Sequence, residues 1–321
     1  MNVVIAGASG FVGTKLVPVL LERGHRVHCG SRRPEAAAQK WPEWSWVRLD
    51  LDDEASLGPA LNDCDALVYL VHGLASDAPD LHAREQQAAQ RTLAAASAAG
   101  VSRIVYLGAP EPVDGASPHL IARIDTGKTL RGADVSTVEL RASMIIGAGG
   151  ESWRICRDLA LRLPIMVAPA WLSSRTEPVF IDDVVQALAH AIVDPVSGSH
   201  VFDIPGPEIL TAQAILERVA AQAGMRPVIV PVPLLTPRLS SFWLQFVTQA
   251  RYRVARQLVD GLTVDLLATG QAYWPRVPSM QRTPFDDAVK RALKDAKPAE
   301  GFERVVEGVA RRVARRAKIS G

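Results

Sequence analysis

What most constrains this chain is an alternation that begins at residue 2. Short apolar runs rich in β-branched residues take turns with longer segments of helical spacing. Residues 3–6, 26–30, 46–49, 66–71, 103–107 and 136–140 read as strands. Between the first two, Val12, Leu16, Val19 and Leu20 fall at i, i+4, i+7 and i+8, which is one apolar face of a helix. Another helical segment, 81–99, runs into Gly100, a residue suited to the left-handed stop that ends a helix. Strand and helix repeated in this order predict an α/β chain with a parallel sheet covered on both faces. Right-handed crossovers then make it a doubly wound sheet, the Rossmann arrangement.

Behind Gly147 the rhythm changes. Prolines at 164, 169, 178, 195, 205, 207, 227, 231, 233 and 237 cut the chain into short pieces. A helix is expected over 182–193, with Val184, Val185, Leu188 and Ile192 on one face, and Asp182 and Asp183 as caps at its start. A strand over 200–204 and a helix capped by Thr211 follow. From residue 226 onward the chain reads as mostly helical, with Phe242, Trp243, Phe246, Tyr252, Tyr273 and Trp274 as its aromatics. The expected organisation is a doubly wound domain over 1–147, its sheet edge completed by 178–206. A smaller, mostly helical C-terminal substrate domain takes 148–177 and 207–300, and a basic amphipathic tail takes 301–321.

The 48% of hydrophobic residues in 321 suffices for a large core, and the net charge of +2 gives no reason to expect a nucleic-acid partner. The charge is unevenly placed: residues 302–321 carry six Lys/Arg and two acids. Any contact with an anionic membrane therefore concerns that tail, whose Val306, Val309, Ala310 and Val313 form a weakly apolar face. Docking on the protein's own surface is the preferred reading of the tail, and peripheral membrane contact is the alternative. Cys29, Cys64 and Cys156 have no paired spacing, which fits a reducing compartment, the cytoplasm. Neither H-E-x-x-H nor C-x-x-C occurs, so no metal site is expected. G-x-S-x-G is also missing, which argues against an α/β-hydrolase.

The most informative motif is Gly7-Ala8-Ser9-Gly10-Phe11-Val12-Gly13, directly after the first strand and opening the first helix. Glycines at this spacing permit a tight turn, close approach of backbone to a pyrophosphate, and tight helix–strand packing. The helix start then offers free N–H groups and the positive end of its dipole. Gly7, Ser9, Gly10, Phe11, Val12 and Gly13 are therefore expected to hold a dinucleotide. A P-loop does not fit: Gly127-Lys128-Thr129 has the right triplet, but position 122 holds alanine where the leading glycine belongs. The second strand is followed by Ser31-Arg32-Arg33, with no carboxylate before Glu35. An acid there would accept the ribose 2′-OH of NAD, whereas arginines pair with the 2′-phosphate of NADP. NADP(H) is thus expected over NAD(H), with Asp50 and Leu51 beside the adenine and Val71, His72 and Gly73 beneath its ribose.

On these residues the chain resembles the atypical, extended-like short-chain dehydrogenases/reductases. More narrowly it is similar to bacterial NAD(P)H-binding proteins of the NmrA-like kind and to the Rossmann subunit of respiratory complex I. Further matching segments are Tyr69-Leu70-Val71-His72, Arg103-Ile104-Val105-Tyr106-Leu107-Gly108, Ser117-Pro118-His119-Leu120, Glu139-Leu140-Arg141-Ala142, Ser174-Arg175-Thr176-Glu177-Pro178 and Val201-Phe202-Asp203-Ile204-Pro205-Gly206-Pro207. The resemblance spans the chain to about residue 290 and adds Gly108 to the cofactor set. It implies a serine at the end of the fifth strand and Tyr-x-x-x-Lys on the following helix. Here the strand ends Tyr106-Leu107-Gly108-Ala109, and the Tyr and Lys positions hold His119 and Arg123.

Two functions follow. In one, the protein is an oxidoreductase acting on a small apolar substrate, with His119 moving a proton and Arg123 holding the nicotinamide ribose or a phosphate. An acceptor that needs no enzyme acid, such as a quinone or an activated alkene, stays within this reading. In the other, His119 and Arg123 are ordinary helix groups, and the protein is a non-catalytic redox sensor, assembly factor or regulator that binds NADP(H).

Overall fold

A computed structural model of the protein describes residues 1–72, 80–112, 115–132, 135–163, 165–168, 170–226, 228–231 and 264–296, with 165–168, 170–171 and 228–231 described by backbone alone. Strands and helices alternate through the first half: β1 (Asn2–Ala6), α1 (Phe11–Glu22), β2 (Arg26–Ser31), α2 (Pro34–Lys40), β3 (Ser45–Arg48) and α3 (Glu54–Leu61). They continue with β4 (Ala66–Tyr69), α4 (Leu81–Ala98), β5 (Arg103–Gly108), α5 (Pro118–Arg131) and β6 (Ser136–Arg141). A later strand, β11 (His200–Asp203), joins them in one parallel sheet of order β11-β6-β5-β4-β1-β2-β3. The sheet is therefore doubly wound, as expected from the sequence. The order reverses between β1 and β4, and their carboxyl ends leave a crevice between loops that turn to opposite faces.

The strands alternate sides within two cores, which explains their near-continuous apolar runs. Val3 and Ile5 of β1 pack with Leu16, Val17 and Leu20 of α1 on one face. Val4 and Ala6 pack with Leu57 and Leu61 of α3 and Ala89 and Ala96 of α4 on the other. Gly100, at φ +71°, follows α4 as its left-handed stop.

The remaining strands are short and paired: β7 (Ile145–Ile146) with β10 (Val179–Phe180), β8 (Ile165–Ala168) with β13 (Val228–Pro231), and β9 (Arg175–Thr176) with β12 (Leu210–Thr211). Helices α6 (Glu151–Arg162), α7 (Ile181–Ala191), α8 (Ala212–Gln222) and α9 (Phe285–Lys294) complete the described elements. Trp153 and Ile155 of α6, Ile215 and Val219 of α8, and Phe285 and Val289 of α9 share one apolar cluster with Val3 and Ile5. The side chain of Thr211 caps α8, accepting from the Ala214 N–H at 3.1 Å.

One expectation changes here. Helix α7 begins at Ile181 behind Phe180 with no side-chain cap, so Asp182 and Asp183 lie within its first turn. Asp183 is buried and accepts instead from the backbone and hydroxyl of Thr283, at 2.7 and 2.9 Å. Most of the chain after residue 226, expected to be helical, lies outside the described residues; those described there hold β13, a 3-10 turn at Trp274–Arg276 and α9. Trp153, Tyr273 and Trp274 are buried in the core. Phe242, Trp243, Phe246, Tyr252, the side chain of Trp171, Gly73 and the tail 301–321 lie outside the described residues. Among those described, no helix is long and apolar enough to cross a membrane.

Candidate active site

A cavity of about 900 Å³ opens along the carboxyl ends of β1, β2, β3, β4 and β5. One wall is the turn from β1 into α1. Gly7 sits at φ +91°, where a side chain would be strained, and a Cβ there would meet the backbone of Leu70 at 3.2 Å. At Gly13 a Cβ would fall 2.5 Å from the Gly7 carbonyl oxygen, so α1 lies closer to its turn than any side chain would allow. Helix α1 has Gly10 as its N-cap and no side-chain cap. Its first-turn N–H groups therefore face the cavity without a side-chain acceptor.

The next wall is the end of β2. Ser31, Arg32 and Arg33 all line the cavity. Ser31 Oγ accepts from the Arg33 N–H at 3.1 Å, which sets the turn. Arg32 and Arg33 are exposed, and among the described residues neither is paired with a carboxylate. Asp50 and Leu51, past β3, continue this wall with Asp52. Two arginines of α4 fasten it: Arg84 Nη2 bonds Asp52 at 2.7 Å, and Arg91 donates to the Leu51 carbonyl at 3.0 Å. Val71 and His72 follow β4 along the cavity floor.

At the far end stands α5. Ser117 caps it, accepting from the Leu120 N–H at 3.3 Å, and Pro118 opens its first turn. His119 and Arg123, one turn apart, both line the cavity. The His119 ring lies edge-on to His72, with centroids 6.1 Å apart. It is 9% exposed, and its Nδ1 is buried without a partner. Burial and the nearby Arg123 charge lower its pKa to about 3, so the imidazole is neutral at physiological pH. Arg123 reaches back across β5, where Nη2 donates to the carbonyls of Leu107 and Gly108 at 3.0 and 3.1 Å.

The cavity thus gathers every cofactor residue read from the sequence that is described, except Gly108. That glycine is not a lining residue: a Cβ on it would fall 2.5 Å from Oε1 of the fully buried Glu139. Its small size makes room for a carboxylate inside the fold, which pairs with Arg141 at 2.9 Å and with Arg131.

Sequence reasoning passed over the wall formed by Ala142, Met144, Ile145, Ile155, Cys156 and Leu266. Burial pushes the Cys156 thiol up to about 12, so it is no nucleophile at neutral pH. A signal for this wall existed in Gly147-Ala148-Gly149-Gly150 before α6. The Phe11 ring fills the space those glycines leave: added Cβ atoms at 147, 149 and 150 would lie 2.9, 3.2 and 3.0 Å from it. Phe11 therefore joins the two turns as well as lining the cavity. Leu266 arrives from a distant segment, held where its N–H donates to the Arg175 carbonyl at 2.9 Å.

Known proteins place this geometry in context. A family described as NAD(P)H-binding matches residues 7–143. Rv2047c of Mycobacterium tuberculosis and Mb2073c of Mycobacterium bovis are each 27% identical over 247 residues, covering 75% of this chain. The chain spans about a quarter of the length of these relatives, the covered share being 25%. A nucleoside-diphosphate-sugar epimerase from Staphylococcus aureus superposes with a TM-score of 0.71 at 15% identity, covering 90% of this chain and 100% of its own. The Bordetella bronchiseptica enzyme WbmH, solved in complex with NAD+, gives 0.65 at 16% identity, covering 91% and 97%. Identities this low establish the shared fold alone. The family match and the glycine turn thus fall on the same stretch, and residues 7–143 are similar to NAD(P)H-binding domains.

Proposed function

We propose that the protein is an NADP(H)-dependent oxidoreductase acting on an apolar substrate. The observation that carries the cofactor choice is the Ser31-Arg32-Arg33 wall, two arginines with no carboxylate partner among the described residues, where an NAD-selective acid would stand. The uncapped start of α1 fits a pyrophosphate, and the space closed by Gly7 and Gly13 fits its close approach. In this reading Asp50 and Leu51 flank the adenine, and Val71 and His72 lie under its ribose. The nicotinamide, when bound, supplies a hydride. The wall of Ala142, Met144, Ile145, Ile155 and Leu266 supports an apolar acceptor and the exclusion of water. Residues 148–177 and 207–300 are then the substrate side of the molecule.

A neutral His119 acts as a hydrogen-bond donor to the acceptor oxygen rather than as an imidazolium acid. Arg123 adds a fixed positive charge one turn away, where negative charge would build up on the acceptor. This suits quinones and activated alkenes, whose reduced anions take a proton from water.

The sensor reading keeps one observation of its own. Ala109 and His119 stand where the resemblance implies a serine and a tyrosine, so the usual proton donor is missing. Anaerobic NADPH oxidation with a panel of quinones and enones separates the two. The oxidoreductase reading expects substrate-dependent turnover with at least one apolar acceptor. No turnover across the panel, with NADPH still binding, would favour the sensor.

A further inference from the structure

The charges around α5 do not balance. Arg123 lines the cavity and donates through Nη2 to the Leu107 and Gly108 carbonyls, which are neutral acceptors. Its Nε is buried and has no partner, and among the described residues no carboxylate pairs with it. Two of the acids that line the cavity are engaged elsewhere: Glu151 pairs with Arg154 at 3.2 Å and Asp52 with Arg84 at 2.7 Å. Two further cavity residues carry buried polar atoms without partners: Nδ1 of His119, 9% exposed, and Oγ1 of Thr176, 5% exposed. Buried polar groups are ordinarily satisfied, so several orphans around one cavity, beside an arginine in no ion pair among the described residues, mark a place where a ligand completes the set.

We infer that this end of the cavity is a subsite for a carboxylate carried by an otherwise apolar molecule, held by Arg123 with His119 and Thr176 beside it. The walls decide the rest of the ligand. Ala109, Leu120 and Leu266 belong to a small apolar cluster at this end, and Ile155 and Met144 continue it. A long polyanion has nothing to meet there, because Arg123 is the one described cation among the lining residues at this end. A neutral apolar molecule leaves Arg123 uncompensated in a partly buried site. An aryl or alkyl carboxylate satisfies both the charge and the walls. This inference deepens the proposed oxidoreductase reading and rests on it for the identity of the ligand as a substrate.

The test uses the full-length protein and two probes of equal size, benzoate and benzamide, titrated calorimetrically at neutral pH. Benzoate is expected to bind at least tenfold more tightly than benzamide. Arg123→Gln is expected to bring the two within about twofold, while Arg123→Lys, which keeps the charge, retains most of the preference. Equal affinities in the wild type, no benzoate binding in the millimolar range, or a preference that survives Arg123→Gln would each overturn the subsite. If Arg123→Gln does not fold, the wild-type ratio and its retention in Arg123→Lys still decide. NADPH is titrated into the same samples. NADPH binding without benzoate selectivity defeats the subsite and leaves the proposed function standing; benzoate selectivity without NADPH binding does the reverse.

Discussion

At the scale of single residues, the fold changes the chemistry of His119 strongly. In an unfolded chain it titrates near its ordinary value of 6.5, whereas in the fold burial and Arg123 hold it to about 3. Between those values the unfolded chain binds a proton that the folded one refuses, so stability falls as pH falls through this window. The contribution is absent above about pH 6.5. From pH 7 to pH 5 it amounts to about 2 kcal/mol, which His119→Gln is expected to remove. Urea unfolding of both proteins at the two pH values checks this; an identical acid loss in the variant would show that His119 is not held neutral. The i, i+4 spacing of His119 and Arg123 was legible in the sequence, because one helix turn fixes it. The attachment of Arg123 to the Leu107 and Gly108 carbonyls was not, since it depends on the distance from α5 to β5. The setting of Gly108 was hidden for a related reason. Its missing side chain serves the buried Glu139 carboxylate, a partner 31 positions away that no local pattern reveals.

At the scale of elements, the turn from β1 into α1 is where sequence and structure agree most closely. Local spacing alone dictates it: strand, turn and helix are contiguous. Gly13→Ala tests it. The added Cβ would lie 2.5 and 2.6 Å from the Gly7 and Ala8 carbonyl oxygens and 2.7 Å from Ala8 Cα, all backbone atoms that cannot rotate away. Helix α1 must then move off its strand. The expected cost is about 1–3 kcal/mol of stability, with at least a tenfold loss of NADPH affinity, read by urea unfolding and calorimetry. Unchanged affinity would mean that the turn does not hold the nucleotide. Elements fixed by distant partners were harder to read. Asp183 looked like a cap because it stands at a helix start, yet its acceptors are used by Thr283, one hundred residues on. The glycines before α6 looked like a boundary, but they shape a turn around Phe11.

At the scale of the whole molecule, the chain returns across its own sheet. After the described residues resume at 264, Asp265 pairs with Arg175 at 2.7 Å, and Asp203 accepts from the Thr269 and Gly270 N–H groups at 3.0 and 2.6 Å. Tyr273 donates to Asp194 at 2.9 Å, and Arg276 grips the same carboxylate through two nitrogens. These carboxylates act as fasteners for the segment that brings Leu266 to the cavity, which Arg32 and Arg33, just past β2, also line. The doubly wound sheet was legible because its strands and crossovers repeat in order along the chain. The returning segment was not, because its fasteners are single acids scattered over earlier elements. One end of the resulting cavity carries the exposed Arg32 and Arg33, and the other carries Leu266, Met144 and Ile155 beside Arg123. Under the proposed function, Arg32 and Arg33 select the phosphorylated dinucleotide. Calorimetric titration of NADPH and NADH into the wild type and into Arg32→Ala plus Arg33→Ala tests it most directly. NADPH is expected to bind the wild type at least tenfold more tightly, about 1.4 kcal/mol, and the double variant is expected to bind both alike. Equal affinities in the wild type, or a preference unchanged in the variant, would contradict it.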